Sequence, residues 1–286
     1  MIPVYSVPPR RVLAATDLSE YAGQAVGRAA ALAASHGARV RVVHVLPPGI
    51  DPELAEFAGE LLRSQAGRYA EDSGEGVETG LRSGRPGAAL LDEAREADAD
   101  LLVAGAHGAH LRPGAPIGGT PENLVRASRI PVLIVRRPAG APYRRVLLAV
   151  DDSEVSLAAA RAGTALTPSA EHLALRVSIV LGERLMLQQG VDDAGLEQLR
   201  RAVTEQDRPG VERLADALAP RPDRVLVVPG RAQDTVPEQA GNLDADLVVV
   251  GTGTRSGLGY ALLGSVAQHV MAWAPCDVLV VPDAER

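Results

Sequence analysis

Short runs of Val, Leu and Ala alternate along this chain with longer stretches in which apolar residues recur at helical spacing. That alternation predicts a parallel sheet joined by crossover helices. In the first half the runs predict strands over residues 12–16, 38–46, 77–83, 101–104 and 132–135, and the stretches between them predict helices over 19–35, 52–71, 86–97 and 121–128. Ser19 is placed to cap the first helix. Thr120, Pro121 and Glu122 read as a cap, a first-position proline and an acidic first turn for the fourth.

The pattern then repeats. RVLAATDLSE from Arg11 returns as RVLLAVDDSE from Arg145, LLVAGAHG from Leu101 as LVVVGTGT from Leu247, and PVLIV from Pro131 as DVLVV from Asp277. A repeat of this length sets the domain count at two, over residues 1–138 and 143–286, with Pro138, Gly140 and Pro142 in the connecting segment. Strands are predicted over 145–150, 173–180, 224–228, 247–250 and 278–281 in the second copy. Asp17 and Asp151 stand 134 positions apart, whereas Gly84 and Gly230, Gly105 and Gly251, and Gly118 and Gly264 all stand 146 apart. The second copy therefore carries 12 extra residues, placed between its second and third strands. They enlarge the segment 181–220, where Leu185, Leu196, Leu199, Val203, Val211, Leu214 and Leu218 mark an amphipathic helical stretch that Gly195 and Pro209-Gly210 are expected to interrupt. A lid, a dimer surface and simple packing on the sheet are all open roles for it.

Composition narrows the chemistry. Apolar residues make up 46% of the 286 residues but aromatics only 2%, so the core must be built from Ala, Val and Leu at close spacing. A net charge of −7 and the lack of an Arg-rich run argue against nucleic-acid binding. All 29 basic residues are Arg, which removes the P-loop lysine, Schiff-base chemistry and the kinase lysine together. Cys276 stands alone, so intrachain disulfides and thiolate metal clusters are excluded, and a small buried filler is expected there. Residues 1–10 lack an apolar signal core and no apolar run approaches the ~20 residues of a membrane span, so a soluble cytoplasmic protein without membrane partners is expected.

Ligands of open α/β sheets bind outside the carboxyl ends of strands, where the chain order reverses. Asp17 and Asp151 each close a first strand, while Gly105 and Gly251 each close a fourth strand and open a glycine-rich loop. Neighbouring first and fourth strands would bring both features into one crevice. The first loop reads Gly105-Ala106-His107-Gly108, nine residues, then Gly118-Gly119-Thr120. The second reads Gly251-Thr252-Gly253-Thr254, nine residues, then Gly264-Ser265. Glycine permits close backbone approach, and the amides opening the next helix can hold an anion, so phosphate can be cradled without a lysine.

With these residues the sequence resembles the universal stress protein family in its tandem form, over nearly its whole length. Nucleotide-binding members of that family carry Gly-x-x-Gly, nine residues, then Gly-Ser or Gly-Thr, with an Asp ending the first strand that contacts the adenosine. The resemblance implies two five-stranded parallel sheets of order 3-2-1-4-5 with helices on both faces. It also implies pairing of the domains through their final strands, within the chain or in a homodimer, and ATP, alone or with Mg²⁺, as ligand. In the second half it assigns Asp151 to the adenosine, Val180 to the base, Gly251, Thr252, Gly253, Thr254 and Gly264 to the phosphate loop, and Ser265 as a hydroxyl donor beside Val266. In the first half it assigns Asp17, Gly105, His107, Gly108, Gly118, Gly119 and Thr120.

Each half departs from the pattern once. Thr254 occupies the second glycine position with Gly253 one residue early, and a β-branched residue would be strained at positive φ. Gly119 replaces the Ser/Thr of the first loop, with Thr120 next to it, and Pro113 and Pro116 alter the loop between. Arg255 and Ser265 still offer charge and hydroxyl to a phosphate, which favours the second half. A dinucleotide fingerprint is rejected for Gly251-x-Gly253, because such a loop follows the first strand of its domain and this one follows the fourth. His107 and His110 lack a third metal ligand at recognisable spacing. Neither loop brings a general base or a pair of metal carboxylates, and Asp152 reads as a solvated turn residue, so an enzyme is not expected. Two functions fit: a nucleotide-binding module of the stress response, and a nucleotide-free interaction scaffold of the same fold.

Overall fold

The computed structural model describes residues 7–69, 76–108, 117–138, 140–253 and 263–283. The first half runs β1 (Arg11–Thr16), α1 (Glu20–His36), β2 (Arg39–Leu46), α2 (Pro52–Gly67), β3 (Val77–Ser83), α3 (Pro86–Glu96), β4 (Leu101–Gly105), α4 (Gly119–Ala127) and β5 (Val132–Val135). The second runs β6 (Arg145–Ala149), α5 (Glu154–Leu166), β7 (Glu171–Ser178), α6 (Glu183–Gln188), α7 (Asp193–Asp216), β8 (Arg224–Pro229), α8 (Ala232–Asn242), β9 (Leu247–Gly251), α9 (Ser265–Trp273) and β10 (Asp277–Val281). Counted from its own first strand, each half has the order 3-2-1-4-5, and within each half neighbouring strands are parallel. The two sheets join where β5 and β10 pair antiparallel, with Leu133 opposite Leu279.

Two apolar layers cover the sheet. Residues of α1, α2, α5 and α7 fill one face, among them Ala29, Leu62, Ala159 and Val211, and residues of α3, α4, α8 and α9 fill the other, among them Leu90, Leu124, Val236 and Val270. Small side chains let the helices lie close. At Gly163 of α5 a β-carbon would come within 2.8 Å of Val249 Cγ2 and 2.9 Å of Leu148 Cδ2.

At the join, Asp277 is fully buried and takes four partners. Its carboxylate accepts from the Arg136 and Arg137 amides at 2.8 and 3.1 Å and from the Tyr143 hydroxyl at 2.6 Å, and it lies 3.4 Å from Arg28 Nε. Arg28, from α1, also stacks 4.3 Å from the Tyr143 ring centroid. A charge so enclosed is tolerable only because it is met by partners from the first helix and from the segment between β5 and β6.

Three expectations are corrected. The fourth helix begins at Gly119 with Gly118 as its cap, so Thr120 and Pro121 sit inside its first turn and Thr120 caps nothing. The enlarged segment holds an unbroken 24-residue helix, α7, in the place that α2 takes in the first half, preceded by the short α6. Gly195 joins its N-terminal cap by donating to Asp192 Oδ1 at 2.9 Å. Pro209 stays within the helix because it and Glu205, whose carbonyl loses the usual N–H, are both exposed, while Val211 and Ala215 beyond them are buried. The offset between copies also shifts twice. Leu46 opposite Ser83 corresponds to Ser178 opposite Pro229, an offset of 132 (178 − 46), and the third strand keeps 146 (229 − 83). The second half therefore has two residues fewer before its second strand and fourteen more after it, because 134 − 132 = 2 and 146 − 132 = 14. The second strand ends at Ser178, and Val180 lies beyond it.

Candidate functional site

Each half opens a crevice at the carboxyl ends of its first and fourth strands. In the first, Asp17, Gly105, His107, Gly108, Gly118, Gly119 and Thr120 line one cavity of about 280 Å³ with His44, Val45, Pro86 and Leu90. In the second, Asp151, Gly251, Gly253, Gly264, Ser265 and Val266 line one of about 330 Å³ with Ser153, Arg176, Val177 and Ala267. Thr252 is buried behind the loop, where its amide donates to Val281 O at 2.9 Å and its carbonyl accepts from Gly264 N at 2.7 Å. Val180 is not among the lining residues, since the strand ends two residues earlier than the repeat implied; Val177 lines the crevice there, as Val45 does in the first half. Thr254, Arg255 and His110 lie outside the described residues.

The strand-end aspartates are built alike. Asp17 Oδ1 accepts from the Ser19 amide at 3.0 Å and its hydroxyl, and Ser19 Oγ in turn accepts from Ala22 N at 3.1 Å, capping α1. Asp151 Oδ1 accepts from the Ser153 amide at 2.9 Å and its hydroxyl, and Ser153 Oγ caps α5 at Ser156 N, 3.2 Å. The Asp-x-Ser-Glu repeat is thus a capping device that also holds a carboxylate in the crevice.

The glycines have separate reasons. A β-carbon on Gly108 would lie 2.7 Å from Asp17 Oδ2, and one on Gly264 would lie 2.9 Å from Thr252 O. Gly253, the glycine that stands one residue early, holds φ at +88°, a left-handed conformation that glycine adopts without strain.

Two helix N-termini face these loops and differ in their donors. In α9 the amides of Ser265, Val266 and Ala267 precede the first helical bond, Gln268 N to Gly264 O at 3.0 Å, and the first turn holds no acidic residue and no side-chain cap. In α4 the amide at Pro121 is missing, and Glu122 places a carboxylate in the first turn. Both features weaken anion binding at α4 relative to α9.

His44 and Arg176 also line the crevices, and the sequence alone singles out neither. His44 Nδ1 lies 2.9 Å from Thr16 O at the end of the first strand. Arg176 holds the matching register position in the second half and pairs with Asp152 Oδ2 at 2.8 Å and Asp207 Oδ2 at 3.5 Å. Asp152 is therefore exposed, as expected of a turn, but ion-paired.

The universal stress protein family matches this chain twice, over residues 9–136 and 142–282. The chain belongs to the universal stress protein family. It carries that family's domain in tandem. A universal stress protein of Thermus aquaticus is 33% identical over 135 residues, spanning 44% of this chain and 98% of that protein. A solved universal stress protein from Archaeoglobus fulgidus superposes over 95% of this chain and 98% of its own with a TM-score of 0.67 at 18% identity, a likeness of fold across both halves. Another, solved in complex with cAMP, aligns over 45% of this chain and 98% of its own at 28% identity and a TM-score of 0.40. Among the described residues no helix is long and apolar enough to cross a membrane.

Proposed function

We propose that this protein is an adenine-nucleotide-binding regulatory module of the stress response, holding ATP, alone or with Mg²⁺, in its second crevice and not turning it over. One observation carries the reading. Asp151 lines one crevice with Ser265, Val266 and Ala267, whose amides open α9, and with Gly251 and Gly253, the latter in the left-handed conformation. A carboxylate at one end suits a ribose hydroxyl, and amides at a helix N-terminus suit phosphate. The first crevice offers the same carboxylate but a weaker anion end, so its affinity is lower. The pairing of β5 with β10 supports an internally paired two-domain unit.

The test is to release bound small molecules from purified protein by acid and identify them, and to follow thermal unfolding with millimolar MgATP. Adenine nucleotide in the extract, or a rise in Tm with added MgATP, is the expected result. Neither signal would instead assign the fold to a nucleotide-free scaffold. Phosphate release at ordinary ATPase rates would contradict the absence of turnover.

A further inference from the structure

The enlarged helix α7 of the second half reaches that half's crevice through charge. Arg176, at the β7 end, donates to Asp152 Oδ2 at 2.8 Å, next to Asp151 in the β6–α5 loop. On its other side stands Asp207 of α7, whose Oδ2 lies 3.5 Å from Arg176 Nε and accepts from Ser178 Oγ at 2.6 Å. A β-carbon on Gly210 of α7 would lie 3.6 Å from Asp152 Oδ1, so the helix also approaches that loop directly. In the first half Gln65 of α2 reaches the same place, contacting Thr16 Oγ1 at 2.6 Å and Ser19 O at 3.1 Å.

We infer that Arg176 is a positioning residue for the second crevice, holding the Asp151 loop through Asp152 while α7 holds Arg176 through Asp207. This rests on the nucleotide reading of the crevice given above. Asp152 is 80% exposed, so its contact alone contributes little; Arg176 and Asp207 side chains are 18% and 30% exposed, and that inner contact carries the device. The inner contact is also incomplete. Arg176 Nε is buried without a hydrogen-bond acceptor although Asp207 stands beside it, so a small inward movement of α7 would add a bond. A ligand that engages Asp151 favours the conformation in which its loop, Arg176 and α7 are drawn together, and α7 thereby tunes affinity at one crevice only.

The experiment compares Arg176→Ala and Asp207→Asn with the unaltered chain by two readouts. Amide exchange is followed at residues 151–153 and, as an internal control, at 17–19; MgATP affinity is measured by calorimetry in an Asp17→Ala background that leaves the second crevice. Both variants should speed exchange at 151–153 and leave 17–19 unchanged, and should weaken binding at least about fivefold. Unchanged exchange at 151–153 in both variants overturns the inference whether or not nucleotide binds. Faster exchange with no MgATP binding even before the substitution overturns the nucleotide reading and leaves the positioning contact supported. Faster exchange with binding unchanged overturns the coupling to the ligand.

Discussion

At Gly251 a β-carbon would lie 2.8 Å from Val155 Cγ1 and 3.2 Å from the Val155 carbonyl, so β9 can end against the first turn of α5 only because the residue lacks a side chain. Such glycines are legible in sequence because their spacing recurs in both halves. His44 and Arg176 were harder to read: each sits in an apolar strand run, and its role depends on which face of the strand end it occupies, which periodicity does not specify. His172 shows the same limit. It is buried in β7, within 3.0 Å of Thr167 Oγ1, and burial lowers its pKa below 6.5 despite the opposing pull of Asp223. Below pH 6.5 the unfolded chain binds this proton more readily than the folded one, so the stabilisation present above that pH is lost as pH falls toward the depressed value. Denaturant midpoints measured from pH 7.5 down to 5 should fall, and His172→Gln should flatten that slope.

Among elements, the strands followed from Val and Leu runs because a sheet covered on both faces leaves no room for polar alternation. The second strand of the second half was misplaced for a different reason. A two-residue loss before it and a fourteen-residue gain after it merge into one net insertion, and only pairing with β6 and β8 separates them. The continuity of α7 through Pro209 was equally hidden, since exposure of the freed carbonyl decides whether the helix survives. Close packing of α5 on the sheet yields a sharper expectation. Gly163→Ala would gain about 1 kcal/mol of helix propensity, but its methyl would meet Val249 and Leu148 inside contact distance. Overpacking of this kind costs roughly 1–3 kcal/mol, so the variant should be no more stable than the parent and is expected to unfold at lower urea.

For the whole molecule, the join between halves rests on apolar pairing of β5 with β10 and on the enclosed carboxylate of Asp277. Asp277→Ala would leave Arg28 buried and deprive Tyr143 and two amides of their acceptor. Loss of one partner from such a buried pair costs about 3–5 kcal/mol, which chemical unfolding would detect, and Arg28→Met in the same background should recover part of it. The lone thiol offers a companion probe: burial pushes Cys276 up to about 12, so a thiol reagent should label it only as the chain unfolds. Two domains, their fold and the paired crevices were legible because the repeat states them twice. A difference between the two loops was legible in Gly119 and Thr254, while the donors of α4 and α9 emerged only once the helix starts were placed.

The proposed preference of nucleotide for the second crevice is tested most directly by calorimetric titration of MgATP into Asp17→Ala and Asp151→Ala proteins. Binding should persist in Asp17→Ala at a stoichiometry near one and be greatly weakened in Asp151→Ala. Equal loss in both variants, or binding that survives only when Asp17 is intact, would contradict it.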